Sequence, residues 1–113
     1  MEEKTVAVKK EEHSWCPVEV TMNIIGKRWT AIIIRDLVQG KKRFCQLEQS
    51  LDGISAKVLS QRLNELEQCG IILRVVYAEV PVRVEYSLTD KGQDLDRVID
   101  SMADWGARWG EGA

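Results

Sequence analysis

The chain has 113 residues, 44% hydrophobic and 30% charged, with a formal net charge of −2. That is one domain with its own core and a small stability margin. The longest obvious apolar run, Ala31-Ile32-Ile33-Ile34, is too short to span a membrane, and the N-terminal MEEKTVAVKKEEHS lacks the apolar centre of a signal peptide, so a cytoplasmic protein with no membrane partner is expected.

In chain order, residues 1–14 read as a charged arm, ahead of one domain over 15–110 and a short tail at 111–113. Pro17 suits the first turn of a helix whose apolar edge is Val18, Met22 and Ile25 and which Gly26 ends. Trp29, Ile32, Ile33 and Leu37 mark a second helix, closed by Gly40. Phe44, Leu47 and Leu51 fall at i, i+3 and i+7 of a third, and Asp52-Gly53 breaks it. Ser55 can cap a fourth, with Leu59, Leu63 and Leu66 as its apolar stripe. Ile71 to Tyr77 and Val82 to Leu88 read as strands around the loop Ala78-Glu79-Val80-Pro81. Thr89 caps a last helix on which Leu95, Val98/Ile99, Met102, Trp105 and Trp109 recur at spacings of three and four.

The third and fourth helices, joined by a tight turn containing Gly, have the signature of a helix-turn-helix, and the two strands behind them make a wing. The fourth helix is the informative one. Opposite its stripe stand Lys57, Gln61, Asn64 and Gln68, flanked by Val58 and Ser60. A merely solvated face more often carries Glu/Lys pairs, whereas a face that reads base edges needs this mixture of donors and acceptors. Charge agrees in its distribution. Residues 26–64 hold eight Lys/Arg against three acids, whereas 65–113 hold five against ten. The basic excess coincides with the helix-turn-helix.

Several motifs recur together: Cys16-Pro17-Val18-Glu19, Ile25-Gly26-Lys27-Arg28-Trp29, Arg43-Phe44, Leu59-Ser60-Gln61-Arg62-Leu63, Leu66-Glu67, Gly70-Ile71, Val84-Glu85-Tyr86-Ser87-Leu88-Thr89-Asp90-Lys91-Gly92 and Trp105-Gly106. In that order the chain resembles the HxlR-type transcriptional regulators, a branch of the MarR-like winged helix-turn-helix proteins, over residues 16 to 109. One departure is Val80-Pro81-Val82-Arg83, where the family often has a second Pro in place of Val82. The resemblance implies a cytoplasmic homodimer that binds operator DNA and dimerises through its first and last helices. The expected fold is therefore mainly α with a small antiparallel β wing, a winged helix-turn-helix. Val18, Met22, Ile25, Leu95, Val98, Met102, Trp105 and Trp109 are the interface candidates.

For double-stranded operator DNA the candidate contacts are Lys41, Lys42, Arg43, Ser55, Lys57, Val58, Ser60, Gln61, Arg62 and Arg83. Lys57 and Gln61 lie one turn apart where a recognition helix enters a major groove. Val58 either touches a thymine methyl or packs under the wing. Lys41, Lys42 and Arg43 precede a helix N-terminus that favours phosphate. Arg62 reaches a phosphate or pairs with an acid. Arg83 enters a minor groove or is a solvated arginine.

Cys16 stands apart, because a thiol at a helix start sits where N–H groups and the dipole favour the thiolate. Some members of the resembled family sense oxidants, quinones or aldehydes at this Cys-Pro position, so Cys16 is a redox candidate; the alternative is a small structural residue. Cys45 and Cys69 read as inert fillers, and a pairing of Cys16 with either stays open. Cys16, Cys45, Cys69 and His13 lack paired ligand spacing, so neither a metal site nor a cofactor is expected. Other readings are a protein-binding winged helix, a regulator controlled by a small-molecule effector, and a thiol enzyme using Cys16 with His13. The polar face of the fourth helix disfavours the first, since a protein-binding face carries aromatic or aliphatic anchors. No oxyanion donor or third group supports the enzyme.

Overall fold

Five helices and a two-stranded antiparallel sheet make up residues 16–111, the part of the chain that the computed structural model describes. The expected arm with His13, and residues 112–113 of the tail, lie outside the described residues. The helices are α1 (Pro17–Ile25), α2 (Thr30–Val38), α3 (Phe44–Ser50), α4 (Ala56–Gln68) and α5 (Asp90–Trp109); the strands are β1 (Ile72–Tyr77) and β2 (Arg83–Leu88). The mainly helical fold with its antiparallel wing is the winged helix-turn-helix expected from the sequence.

Local chemistry explains most boundaries. The Gln46 side chain accepts from the Arg43 N–H at 2.8 Å and opens α3. Ser55 Oγ accepts from the Val58 N–H at 3.1 Å and opens α4. Helix α4 closes in a Schellman turn. Gly70 takes a φ of 76°, its N–H donates to the Glu67 carbonyl, and the Ile71 N–H donates to the Leu66 carbonyl. Ile71 is spent on that turn, so β1 begins one residue later than expected; β2 likewise starts at Arg83, not Val82.

Thr89, Lys91 and Gly92 of the Leu88-to-Gly92 motif tie this turn to α5. The Thr89 hydroxyl accepts from the Gly92 N–H and donates to the Gly70 carbonyl at 2.6 Å. Lys91 Nζ donates to the Cys69 carbonyl at 2.7 Å. Gly92 is pressed against the Ile71 carbonyl so closely that a Cβ there would collide with backbone.

The core is formed by Ile33, Ile34 and Leu37 of α2, Leu47 of α3, and the full stripe Leu59, Leu63 and Leu66 of α4. Ile71, Ile72, Tyr86 and Ile99 close it. One expectation about α2 is corrected and one is placed more closely. Trp29 packs against the core as expected, but from the N-cap position of α2, with a φ of 81° that bulky residues rarely adopt. Ile32 is 53% exposed, because the core lies on the side of Ile33, Ile34 and Leu37. A third strand-like pairing was not anticipated: Lys42 bridges β2, its N–H donating to the Tyr86 carbonyl and its carbonyl accepting from the Tyr86 N–H.

The interface candidates divide. Val18, Met22, Val98, Met102, Trp105 and Trp109 are exposed in the protomer, Val18 at 70% and Trp105 at 66%. Ile25 is instead buried in the protomer's own core, and Leu95 packs against that core. Position along the helix, not only the face, decides this. The last turn of α1 and the first half of α5 are seated on the body, and Thr21, Ile24, Leu95 and Val98 line one groove between them. The first turns of α1 and the whole stretch of α5 beyond Asp100 are exposed.

Candidate nucleic-acid interface

Helix α4 presents Lys57, Ser60, Gln61, Asn64 and Gln68 to solvent, with Val58 half-buried beside them. Ser55 is exposed; its oxygen accepts from the Val58 N–H in capping α4, and its hydroxyl hydrogen is left to donate. On one flank a groove of about 430 Å³ separates α4 from the sheet, lined by Ser60, Gln61, Asn64, Glu67, Arg74 and Tyr86. Arg74 was missed by the sequence reading. It lies opposite Tyr86 in the β1–β2 register and shares a strand face with buried Ile72, a period-two signal that points it toward α4.

The start of α3 and the wing supply further cations. Arg43 is exposed at the N-terminus of α3. Lys41 is exposed, with its ammonium 3.8 Å from Glu85 Oε1. Lys42 is turned inward, its ammonium 2.9 Å from Asp36 Oδ1 and its side chain 19% exposed. Arg83 is held within the wing: it contacts Glu79 and Glu85, each at 2.7 Å, and its guanidinium lies 3.9 Å from the centre of the Tyr77 ring. The hydrogen bonds from Arg83, and behind them the charges of Arg83 and Arg43, hold the Glu79 carboxyl below its ordinary range. The wing pair is thus complete at neutral pH and is lost only as pH falls through that depressed value.

The fold also corrects the charge argument. Lys27, Arg35, Lys41 and Arg62, all in the basic segment, pair with Glu65, Asp96, Asp100 or Glu85 of the acidic segment. Lys42 pairs with Asp36. Arg28 stacks over Trp29 at 5.4 Å. Among the described residues of that segment, Lys57, Arg43 and Arg28 have no ion-pair partner within 4.0 Å. Most of the other pairs are surface pairs worth little individually, so a phosphate can displace them at small cost.

Cys16 is exposed at the N-cap of α1 and makes no side-chain cap hydrogen bond; Cys45 and Cys69 are also exposed and free. No cluster of His, Cys, Asp or Glu with metal-binding geometry occurs among the described residues. No described helix is long and apolar enough to cross a membrane.

Comparison with known proteins agrees with this architecture. The model of the HxlR-like helix-turn-helix family matches residues 24–113. The HTH-type transcriptional regulator YdeP of Bacillus subtilis (strain 168) is 43% identical over 99 residues, covering 88% of this chain and 77% of that protein. The reduced form of the transcriptional regulator YodB from B. subtilis superposes with a TM-score of 0.77 at 40% identity, covering 88% of this chain and 99% of that one. The redox regulator HypR in its reduced form superposes with a TM-score of 0.79 at 40% identity, covering 82% and 92%. With its winged fold, polar α4 face and these relatives, the chain belongs to the HxlR-like helix-turn-helix family of DNA-binding transcriptional regulators and is not an enzyme.

Proposed function

We propose that the protein binds a near-palindromic operator as a homodimer, with α4 in the major groove of each half-site. The observation that carries this reading is the α4 face itself. Lys57, Gln61 and Asn64 project from a helix whose opposite side is locked into the core by three buried leucines. Gln61 is the residue best suited to read a base edge bidentately. Lys57, Lys41 and Arg43 supply phosphate contacts that orient the protein, and Arg74 and Arg83 add charge from the wing. Val58 and Ser60 contribute packing and further polar contacts. Arg62 and Lys42, both held by internal acids, are indirect contributors. Val18 and Met22 of α1, with Val98, Met102, Trp105 and Trp109 of α5, form the dimer surface.

The test is a gel-shift series with duplexes enriched by the protein from a random pool. Half-sites are expected about 10 bp apart centre to centre, and affinity is expected to fall steeply with salt. Gln61→Ala is expected to lose about 1–3 kcal/mol on the preferred duplex while binding random DNA as before. Weak, sequence-blind binding by the wild type would overturn the reading.

We also propose that operator binding responds to oxidants or electrophiles through Cys16. The support is an exposed thiol at the start of α1, the helix whose outer face is proposed above for the dimer surface, together with similarity to a protein described as a redox regulator. Modification must favour one dimer geometry over another to change affinity. Misplacing two bidentate contacts costs about 2–6 kcal/mol. The expected result is operator release by the wild type after diamide or a quinone, and none by Cys16→Ser. Equal release by both would place the response at another group, such as the exposed Cys45 or Cys69, and overturn the Cys16 reading.

A further inference from the structure

The flank of α4 facing away from the wing groove is joined to the turn between α1 and α2 by a closed ring of polar contacts. Arg62 Nε donates to the Arg28 carbonyl at 3.0 Å. Another Arg62 nitrogen lies 3.4 Å from Glu65 Oε1, and the second Glu65 oxygen lies 3.2 Å from Lys27 Nζ. The ring therefore has two members on the turn, Lys27 and Arg28, and two on α4, Arg62 and Glu65, spaced i, i+3 on one side of the helix.

The turn is shaped to present that carbonyl. Trp29 takes the left-handed conformation, and the Arg28 carbonyl has no backbone partner among the described residues. Arg62 is only 17% exposed, so its guanidinium is largely withdrawn from solvent. An arginine fork can meet a carbonyl and a carboxylate at once, which a lysine ammonium on a flexible stem does far less well.

We propose that Arg62 is a positioning residue: with Glu65 and Lys27 it latches the recognition helix to the α1–α2 turn, and it does not itself contact DNA. This rests on α4 being the helix that enters the groove. The same turn ends α1, so the latch sets the angle between α4 and the helix that contributes Val18 and Met22 to the proposed dimer surface. Loosening it lets each recognition helix rotate about its leucine stripe and blurs the register of both half-sites together.

The experiment uses the full-length protein, the duplex it enriches from a random pool, and random-sequence DNA as the non-specific probe. Arg62→Lys keeps the charge and removes the fork. It is expected to weaken binding to the enriched duplex by about 2- to 30-fold. Binding to random-sequence DNA and the slope of log affinity against log salt are expected to stay unchanged, because that slope counts phosphates neutralised. Lys27→Met and Glu65→Gln, which open the same ring without reversing a charge, are each expected to weaken the enriched duplex, and the double variant to lose little more than the larger single loss. That pair keeps the test decisive if Arg62→Lys lowers folding stability. Arg62→Ala separates the alternatives: a slope smaller by about one, with random DNA weakened equally, would make Arg62 a phosphate contact and overturn the latch. No effect of Arg62→Lys, or losses from Lys27→Met and Glu65→Gln that simply add in the double variant, would also overturn it. Gln61→Ala in parallel keeps the readings apart. If Gln61→Ala loses specificity and Arg62→Lys does not, only the latch fails; if neither does, α4 is not the reading helix.

Discussion

Replacing both Met102 and Trp105 with glutamate is expected to leave a folded monomer that has lost its operator. In the protomer every residue from Ser101 to Gly110 is exposed, including Trp105 at 66% and Trp109 at 60%. A helical extension of this length is marginal in water without a covering surface, and two tryptophans are too much apolar area to leave uncovered. Ile99 still seals the core one turn earlier, so the substitutions spare the fold of the body. In the proposed dimer, two carboxylates facing their symmetry copies in an apolar seam would oppose association through desolvation and repulsion. With the dimer gone, the second half-site no longer binds at high effective concentration, and operator affinity is expected to drop by about 10²- to 10⁴-fold. Sedimentation and gel shift read the two effects separately. A variant that still sediments as a dimer would move the interface away from α5.

Leu59→Ala is expected to cost about 2–5 kcal/mol of stability, a large share of the roughly 5–15 kcal/mol of a typical domain. Leu59 is fully buried, and it seats the end of α4 that carries Lys57 and Gln61. The cavity left behind has no flexible neighbour such as methionine among the core residues to fill it. Ile32→Ala is the matched control. That side chain is half-exposed, and its loss is expected to change protomer stability by no more than about 0.5 kcal/mol. Urea unfolding of both variants checks the contrast; equal losses would show that α4 is not anchored as described.

The groove flank at Arg74 and the latch at Arg62 mark where reading the chain by itself stops. Helix starts at Pro17, Ser55 and Thr89, the break at Asp52-Gly53, the leucine stripe of α4 and the two strands of the wing were all legible, and with them the winged helix-turn-helix. These features rest on interactions within a few residues: caps, turn glycines and periodicities of two and 3.6. The exposed polar face of α4 was legible for the same reason, since a helix with one buried stripe must turn its opposite side outward.

Tertiary structure alone decided which cations are free. The segment rich in Lys and Arg gives up Lys27, Arg35 and Lys41 to acids that lie far along the chain, while Arg62 meets Glu65 one turn on, and Arg83, beyond that segment, is taken by Glu79 and Glu85 of its own wing. It also decided that Ile25 and Leu95 face the protomer's core while Ile32 faces outward. Periodicity tells which residues share a face, but not which neighbouring element covers that face or where along a helix the cover ends. Charge counts tell how many ions a segment holds, but ion pairing depends on distances of a few ångströms that exist only once the elements are packed. The sequence by itself therefore determined the elements and the family, and the packing decided which residues remain available to DNA, to a second subunit and to each other.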